Sequence, residues 1–330
     1  MNIRLKHIYF LTVIQLFISP VFASKPDRLV VPHCSIPHSA TVLPSDLPKG
    51  DFNSFVIPLK RAGRLFLIEV TIDGQTGNLI FDTGASGLVL NRSYFRNYTV
   101  RETLSESGGI TGGGSKISNI VVDRIDVSAL YYENVMADLA DLGHIENQRN
   151  VKILGLFGLS LLRDLEVTFD ARNSELRLSR IDKDGNCLDK SALYTIYKNT
   201  HKIEIRNDII ILKALVGGKM LNLSLDTGAE ISLIHNGLPK NVLNTIEIRQ
   251  KSDIGGSGSN RVQASYGIMN DLEVGDTRFG KMETAVINLS SMCDAYGCII
   301  DGMLGYDFWQ KGIYRINLTK QEISFNIGKE

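Results

Sequence analysis

Leu79-Ile80-Phe81-Asp82-Thr83-Gly84-Ala85-Ser86 recurs 144 residues later as Leu223-Ser224-Leu225-Asp226-Thr227-Gly228-Ala229-Glu230. Working outward, each copy is preceded by an apolar, β-rich run, Phe66 to Ile72 in one and Ile209 to Val216 in the other. A Gly-containing turn separates run from triplet: Asp73-Gly74-Gln75-Thr76-Gly77 and Gly217-Gly218-Lys219. That order reads as strand, hairpin, strand, written twice. Three further blocks follow in the same order. Gly108 to Gly114 answers Asp253 to Gly258, and Gly155-Leu156-Phe157-Gly158 answers Gly302-Met303-Leu304-Gly305. The alternating pair Leu165–Asp170 and Leu176–Leu178 answers Ile313–Asn317 and Ile323–Phe325. Two domain-sized copies exclude a solenoid of short repeats. The expected fold is mostly β with short helices: two lobes, residues 51–182 and 192–328, related by a pseudo-twofold axis. Short turns or helices are expected at Ser160–Asp164 and Phe308–Lys311. Residues 24–50 are Pro-rich and polar, and are expected to be a joining strand, a covering segment or a propeptide.

The composition is that of an ordinary globular chain, 43% hydrophobic and 22% charged over 330 residues. Lys plus Arg and Asp plus Glu are 36 each, so no basic surface for nucleic acid is announced. Met1 to Ala23 reads as a secretory signal peptide. Arg4 and Lys6 open it, an apolar stretch of about 15 residues follows, and Val21-Phe22-Ala23 offers the small residues of a cleavage site. The stretch falls short of the roughly 20 residues that span a bilayer. An exported chain, periplasmic or secreted and bacterial, with no membrane span after cleavage, is the expectation. In such a compartment disulfides persist, and Cys293–Cys298 and Cys34–Cys187 are the candidate pairs, with other connectivities open.

A carboxylate between two apolar runs sits on buried scaffold, where its charge is costly unless hydrogen bonds or a shared proton compensate it. Placing that cost twice at symmetric positions predicts that Asp82 and Asp226 meet. Two carboxylates in contact share one proton and titrate as a unit. The ionised member can take a proton from water while the other donates to a carbonyl oxygen, which is general acid–base hydrolysis of a peptide bond. Gly84 and Gly228 allow close backbone approach to the carboxylates. Thr83 and Thr227 are expected to hydrogen-bond across the axis. The Gly-rich stretches read as hairpin tips closing over substrate, with Gly109, Ile110, Gly112 and Gly113 in one and Ile254, Gly255 and Gly256 in the other.

On these residues the chain resembles the retropepsin-like aspartic peptidases, in a two-domain form, over about residues 60 to 328. The resemblance implies that Asp82 and Asp226 are catalytic and that Leu156-Phe157-Gly158 and Met303-Leu304-Gly305 pack beneath the two loops. It also implies that the Gly-rich stretches are flaps and that a fused chain needs no second copy, so a monomer is expected. Ala85 and Ala229 look like the retroviral members. Glu230 departs from the small residue usual at its position, where it would repel the pair or point outward.

Rival readings are weaker. The glycine loops lack the Lys-Ser or Lys-Thr ending of a phosphate loop. His33, His38, His144, His201 and His235 form no zinc-binding pattern, so no metal and no cofactor is expected. Gly255-Gly256-Ser257-Gly258 sets its serine at the wrong offset for a nucleophile elbow. The remaining alternative is a non-catalytic peptide- or glycan-binding cell-envelope protein on the same fold. In either case the expected partner is an extended chain lying in the cleft between lobes.

Overall fold

Each half is built on the hairpin that the repeat predicts. Leu65–Ile72 pairs with Gln75–Phe81 around Asp73 and Gly74, both at positive φ (45° and 82°). Ile209–Val216 pairs with Lys219–Leu225 around Gly217 and Gly218, at 57° and 74°. Two consecutive left-handed residues are the turn that matches the twist of adjoining strands, and Asp-Gly and Gly-Gly are the sequences that tolerate it. The two hairpins bury the same positions in the same order. The computed structural model describes residues 15–16, 47–109, 115–190, 197, 199–255, 261–296 and 300–328.

The architecture is mostly β, in two similar domains with short helices. In the first domain the strand order is Arg101–Gly109, Ser115–Val127, Leu130–Ala140, Leu88–Asn91, Ile153–Phe157, Gln75–Phe81, Leu65–Ile72, Lys60–Ala62. Leu65–Ile72 also pairs with Ser115–Val127, through Thr71 and Asp126, which closes the sheet into a barrel-like form. Gln15–Leu16 pairs at the outer edge with Gly108 and Gly109. The second domain repeats the order with Ile246–Gly255, Arg261–Met269, Met282–Ile287, Ser232–His235, Gly302–Leu304, Lys219–Leu225 and Ile209–Val216. Its closing pairing is Leu215 with Glu273.

The hairpins that end the two halves pair with each other instead of staying with their own barrels. Leu165–Asp170 lies antiparallel to Gly312–Asn317, with Thr168 opposite Arg315. Glu175–Arg180 and Ser54–Pro58 extend this sheet on one side, and Glu322–Ile327 and Asn199–Arg206 on the other. Ser54–Pro58 is the N-terminal strand that joins this sheet, and it lies beyond the 24–50 segment, for which a joining strand, a covering segment or a propeptide was expected. Residues 24–46 lie outside the described residues, and Lys49 makes a single bridge to Tyr131. Phe169 on this sheet stacks on Phe81 at 5.7 Å and meets Trp309 edge-on at 5.4 Å. The base of both Asp-Thr-Gly loops thus rests on one aromatic core shared by the two halves.

Among the described residues the helices are Gly143–Arg149, Lys240–Leu243, Ser290–Tyr296 and Tyr306–Trp309, with a 3₁₀ turn at Leu159–Leu162. The last two fall next to the expected short segments, shifted by one or two residues toward the glycine. The expected disulfides are not formed. Cys187 and Cys293 carry free thiols. Cys187 Sγ donates to Asp189 O at 3.4 Å, and Cys293 Sγ donates to Ile300 O and accepts from its N–H, both at 3.4 Å. Asp294 to Tyr296 belong to a helix and not to the turn that their composition indicated. Cys34 and Cys298 lie outside the described residues. Among the described residues no helix is long and apolar enough to cross a membrane.

Candidate active site

The alternation of the strand Gln75–Phe81 sends Leu79 and Phe81 into the main core and leaves Ile80, then Asp82, on the opposite face. Leu223 and Leu225 likewise enter the core, with Ser224 and Asp226 opposite. Each Asp is placed by a bond from below. Asp82 N–H donates to Phe157 O at 3.1 Å and Asp226 N–H to Leu304 O at 3.0 Å. The strands carrying those carbonyls, Ile153–Phe157 and Gly302–Leu304, run parallel to the Asp-bearing strands. Immediately after them, Leu159 N–H donates to Ala85 O and Tyr306 N–H to Ala229 O, both at 2.8 Å. Gly158 and Gly305 have no room for a side chain. A Cβ on Gly158 would lie 2.2 Å from Gly87 O, and one on Gly305 2.7 Å from Ala229 O.

The threonines lock the loops to each other across the axis. Thr227 Oγ1 donates to Phe81 O at 2.7 Å and accepts from Thr83 N–H at 3.0 Å. Thr83 Oγ1 donates to Leu225 O at 2.9 Å and accepts from Thr227 N–H at 3.1 Å. All four bonds are buried, and both hydroxyls use a donor and an acceptor position. The loops therefore have one relative placement.

That placement sets each carboxyl group against the glycine of the opposite loop, near enough for the two to bear on one another's charge. The crossing is close enough that a Cβ on Gly84 would lie 2.5 Å from the Asp226 carboxyl carbon, and one on Gly228 2.5 Å from that of Asp82. Gly84 N–H donates to Asp82 Oδ1 at 2.9 Å and Gly228 N–H to Asp226 Oδ1 at 2.7 Å. Asp82 and Asp226 are 4% and 3% exposed, so little water solvates their charge. Burial lifts both carboxyls above the ordinary aspartate range, and the neighbouring Asp82 charge lifts Asp226 further. The backbone donors oppose that rise without cancelling it. The pair holds one proton to higher pH than a lone Asp would.

Glu230 neither faces the pair as a free charge nor points outward. It forms an ion pair with Arg149 at the end of the first domain's helix, and its carbonyl accepts from Arg64 at 3.2 Å. Gly63, at φ 64°, leaves the space that the Arg149 guanidinium occupies, since a Cβ there would come within 2.5 Å of it. Arg64 also pairs with Glu283 at 2.7 Å, a second tie between the domains. Arg61 lies over the Phe66 ring at 4.3 Å and reaches the Tyr306 hydroxyl at 3.3 Å. The Lys60-Arg61-Ala62-Gly63-Arg64 turn, unremarked in the sequence, is thus a cationic clasp on the second domain.

Both Gly-rich stretches are entered and left by paired strands. Arg101–Gly109 pairs with Ser115–Val127, with Ser107 opposite Ser115, and Ile246–Gly255 pairs with Arg261–Met269, with Gly255 opposite Arg261. Gly109, Ile254 and Gly255 are the last strand residues before the tips. Ile110, Gly112, Gly113 and Gly256 lie outside the described residues. Among the described residues no group of three His, Cys, Asp or Glu side chains gathers to hold a metal ion.

The family described as aspartyl protease matches residues 68–161 and 212–308, one segment in each domain. A comparison with curated protein sequences finds no significant match. Among 406 solved chains that match in fold is the crystal structure of Basic 7S globulin from soybean, at 9% identity and TM-score 0.46. The match covers 84% of this chain and 95% of that one.

Proposed function

The chain belongs to the aspartyl protease family, and from that premise we propose that it is an aspartic endopeptidase whose catalytic groups are Asp82 and Asp226. The observation that carries the proposal is the close approach of two buried carboxyls on loops that reciprocal threonine bonds hold together. In the working state one carboxyl of the pair is ionised and the other protonated. The ionised member removes a proton from a water as its oxygen bonds to the scissile carbonyl carbon. The protonated member passes its proton to the carbonyl oxygen, giving a tetrahedral diol. Collapse of the diol breaks the C–N bond as the nitrogen takes a proton from the protonated carboxyl and a diol hydroxyl gives its proton to the ionised one, so the pair again holds one proton. The fixed loop geometry lowers the barrier by holding acid and base where both proton transfers occur. Read as a leader, Met1–Ala23 supports an exported enzyme, and the fused halves support a monomer acting on an extended peptide in the cleft.

The test is cleavage of a mixed peptide library between pH 3 and 7 by the full chain, Asp82→Asn and Asp226→Asn. Cleavage is expected from the wild-type protein only, with both variants folded and with no loss on adding a chelator. Activity that survives either substitution refutes the reading. Family membership equally allows a protein that binds an extended peptide or glycan in the same cleft without cutting it. Affinity for peptides with no cleavage by the wild-type protein would establish that alternative.

A further inference from the structure

The registers of the two barrels align them residue by residue. In the first domain a row crosses the sheet through Leu67, Ile80, Leu156, Val89, Asp138 and Asn119. In the second the corresponding row is Ile211, Ser224, Met303, Leu233, Ala285 and Tyr266. Residues directly opposite one another in a ladder share a face, so each row lies on one side of its sheet. It is the side from which Asp82 and Asp226 project, two residues on from Ile80 and Ser224. In the second domain this row, Ser224 apart, is apolar out to Ala285, with Tyr266 packed against that cluster. In the first domain the same two positions hold an acid and an amide.

Asn119 is buried and donates to Asp138 Oδ1 at 2.6 Å. The second carboxylate oxygen accepts no hydrogen bond from any described residue, and no ion pair reaches Asp138 among the described residues. Val89, its neighbour on the other side, is uncharged. Arg101 stands opposite Asn119 in the next strand of the ladder, one position farther from Asp138. A half-buried carboxylate with spare acceptor capacity and no cation from a described side chain is costly on its own. Burial pushes its pKa up to about 6, and no charged group of the described residues offsets that rise. Asn119 is also on the strand that rises into the flap hairpin, so this pair lies where chain enclosed by the flap would pass.

Resting on the peptidase reading, we propose that Asp138, oriented by Asn119, is a specificity residue that selects a Lys or Arg side chain of the substrate on the first-domain side of the cleft. Three strand spacings separate the Asp138 column from that of Ile80, about 14 Å along the sheet. An extended substrate advances about 3.3 Å per residue, and a Lys or Arg side chain adds several ångströms of reach. The selected residue therefore stands two to four positions from the scissile bond. The equivalent place on the second-domain side, lined by Ala285 and Tyr266, takes an apolar side chain. A cleft so differentiated gives the substrate a direction.

The test uses peptide pairs identical except for Lys against norleucine at each position around one cleavage site, with the full chain and Asp138→Asn. The wild type is expected to favour the Lys peptide at least tenfold in kcat/KM at one such position. Asp138→Asn, which keeps the shape and the Asn119 contact, is expected to abolish that preference and change the norleucine peptide less than twofold. The wild-type preference should also fade as pH falls through about 6, a readout that needs no variant. Equal losses for both peptides, or a preference untouched by substitution and pH, overturn the proposal. Peptide affinities are measured in parallel on Asp82→Asn. Lys selection in binding but no cleavage by the wild type would refute the peptidase reading and leave the subsite standing; no Lys selection in either readout removes the subsite alone.

Discussion

Replacing Thr227 by Val removes a hydroxyl and almost no volume, so its effect isolates the cross-axis lock. Two buried backbone groups lose their partners: Phe81 O, accepting at 2.7 Å, and Thr83 N–H, donating at 3.0 Å. No water replaces the lost hydroxyl at a residue that is 1% exposed. Each orphaned buried group costs about 1–3 kcal/mol, so the substitution should cost roughly 2–6 kcal/mol. For a chain of this size about 2 °C in Tm accompanies each kcal/mol, which predicts a fall of roughly 4–12 °C. Thr227→Ser keeps the hydroxyl and deletes one methyl, worth about 0.8 kcal/mol, and should stay close to wild type. Thr71→Val supplies the control, because Thr71 and Thr76 share an exposed hydroxyl contact at 3.0 Å that water can replace. Scanning calorimetry or thermal circular dichroism reads all three. A Thr227→Val protein that melts within about 1 °C of wild type would show that the four bonds do not hold the loops, and the argument for a fixed carboxyl pair would go with them.

Asp226→Asn should raise Tm at pH 7 while abolishing any cleavage. A carboxyl whose folded pKa is raised contributes stability that is complete below its unfolded pKa and lost as pH rises through the folded value, so the gain on removing it should vanish in melts run near pH 3. Arg149→Met should destabilise by about 3–5 kcal/mol at neutral pH, since it strands a buried carboxylate, and lowering the pH should relieve the loss. Glu230→Gln should cost under about 1 kcal/mol, because burial raises the Glu230 pKa despite both arginines and the freed Arg149 can reach water; equal losses for the two variants would contradict this. Gly84→Ala should separate the carboxyls, because its Cβ would sit 2.5 Å from the Asp226 carboxyl carbon, and a crystal structure of the variant with an unmoved pair would show otherwise.

What could be read from sequence was what local chemistry and repetition write down. Asp73-Gly74 and Gly217-Gly218 dictate a tight turn in any context, and collinear blocks fix the relation of the halves. The sheet shared by the domains was not legible, because Leu165–Asp170 alternates in the same way whichever hairpin lies beside it. Helix Gly143–Arg149 has one buried residue, Ile145, too weak a period to announce a helix. The partner of Glu230 is 81 residues away and in the other domain. The cysteines misled for the same reason: spacing proposes partners, but thiol direction depends on backbone that spacing does not specify. The weight of Asp138 also escaped, since a lone acid in a β-rich run gives no sign of the face on which it falls.

The symmetric and asymmetric parts of the site answer different demands. On the proposed peptidase reading, hydrolysis needs an acid and a base that can exchange roles, and the pseudo-twofold arrangement of Asp, Thr and Gly would supply them. A peptide has no such symmetry, since its two directions present different side chains to the two domains. If both walls were alike, a substrate could bind either way round with equal affinity, and half of its encounters would offer the wrong sequence to each wall. The differences between the halves fall where this ambiguity would be broken. Glu230 stands where the first copy has Ser86, and ties the second loop to the first domain's helix. Asp138 and Asn119 stand where the second copy has Ala285 and Tyr266. Divergence at those positions, with the buried hairpin pattern kept intact on both sides, is what selection on substrate direction would leave behind in a duplicated chain.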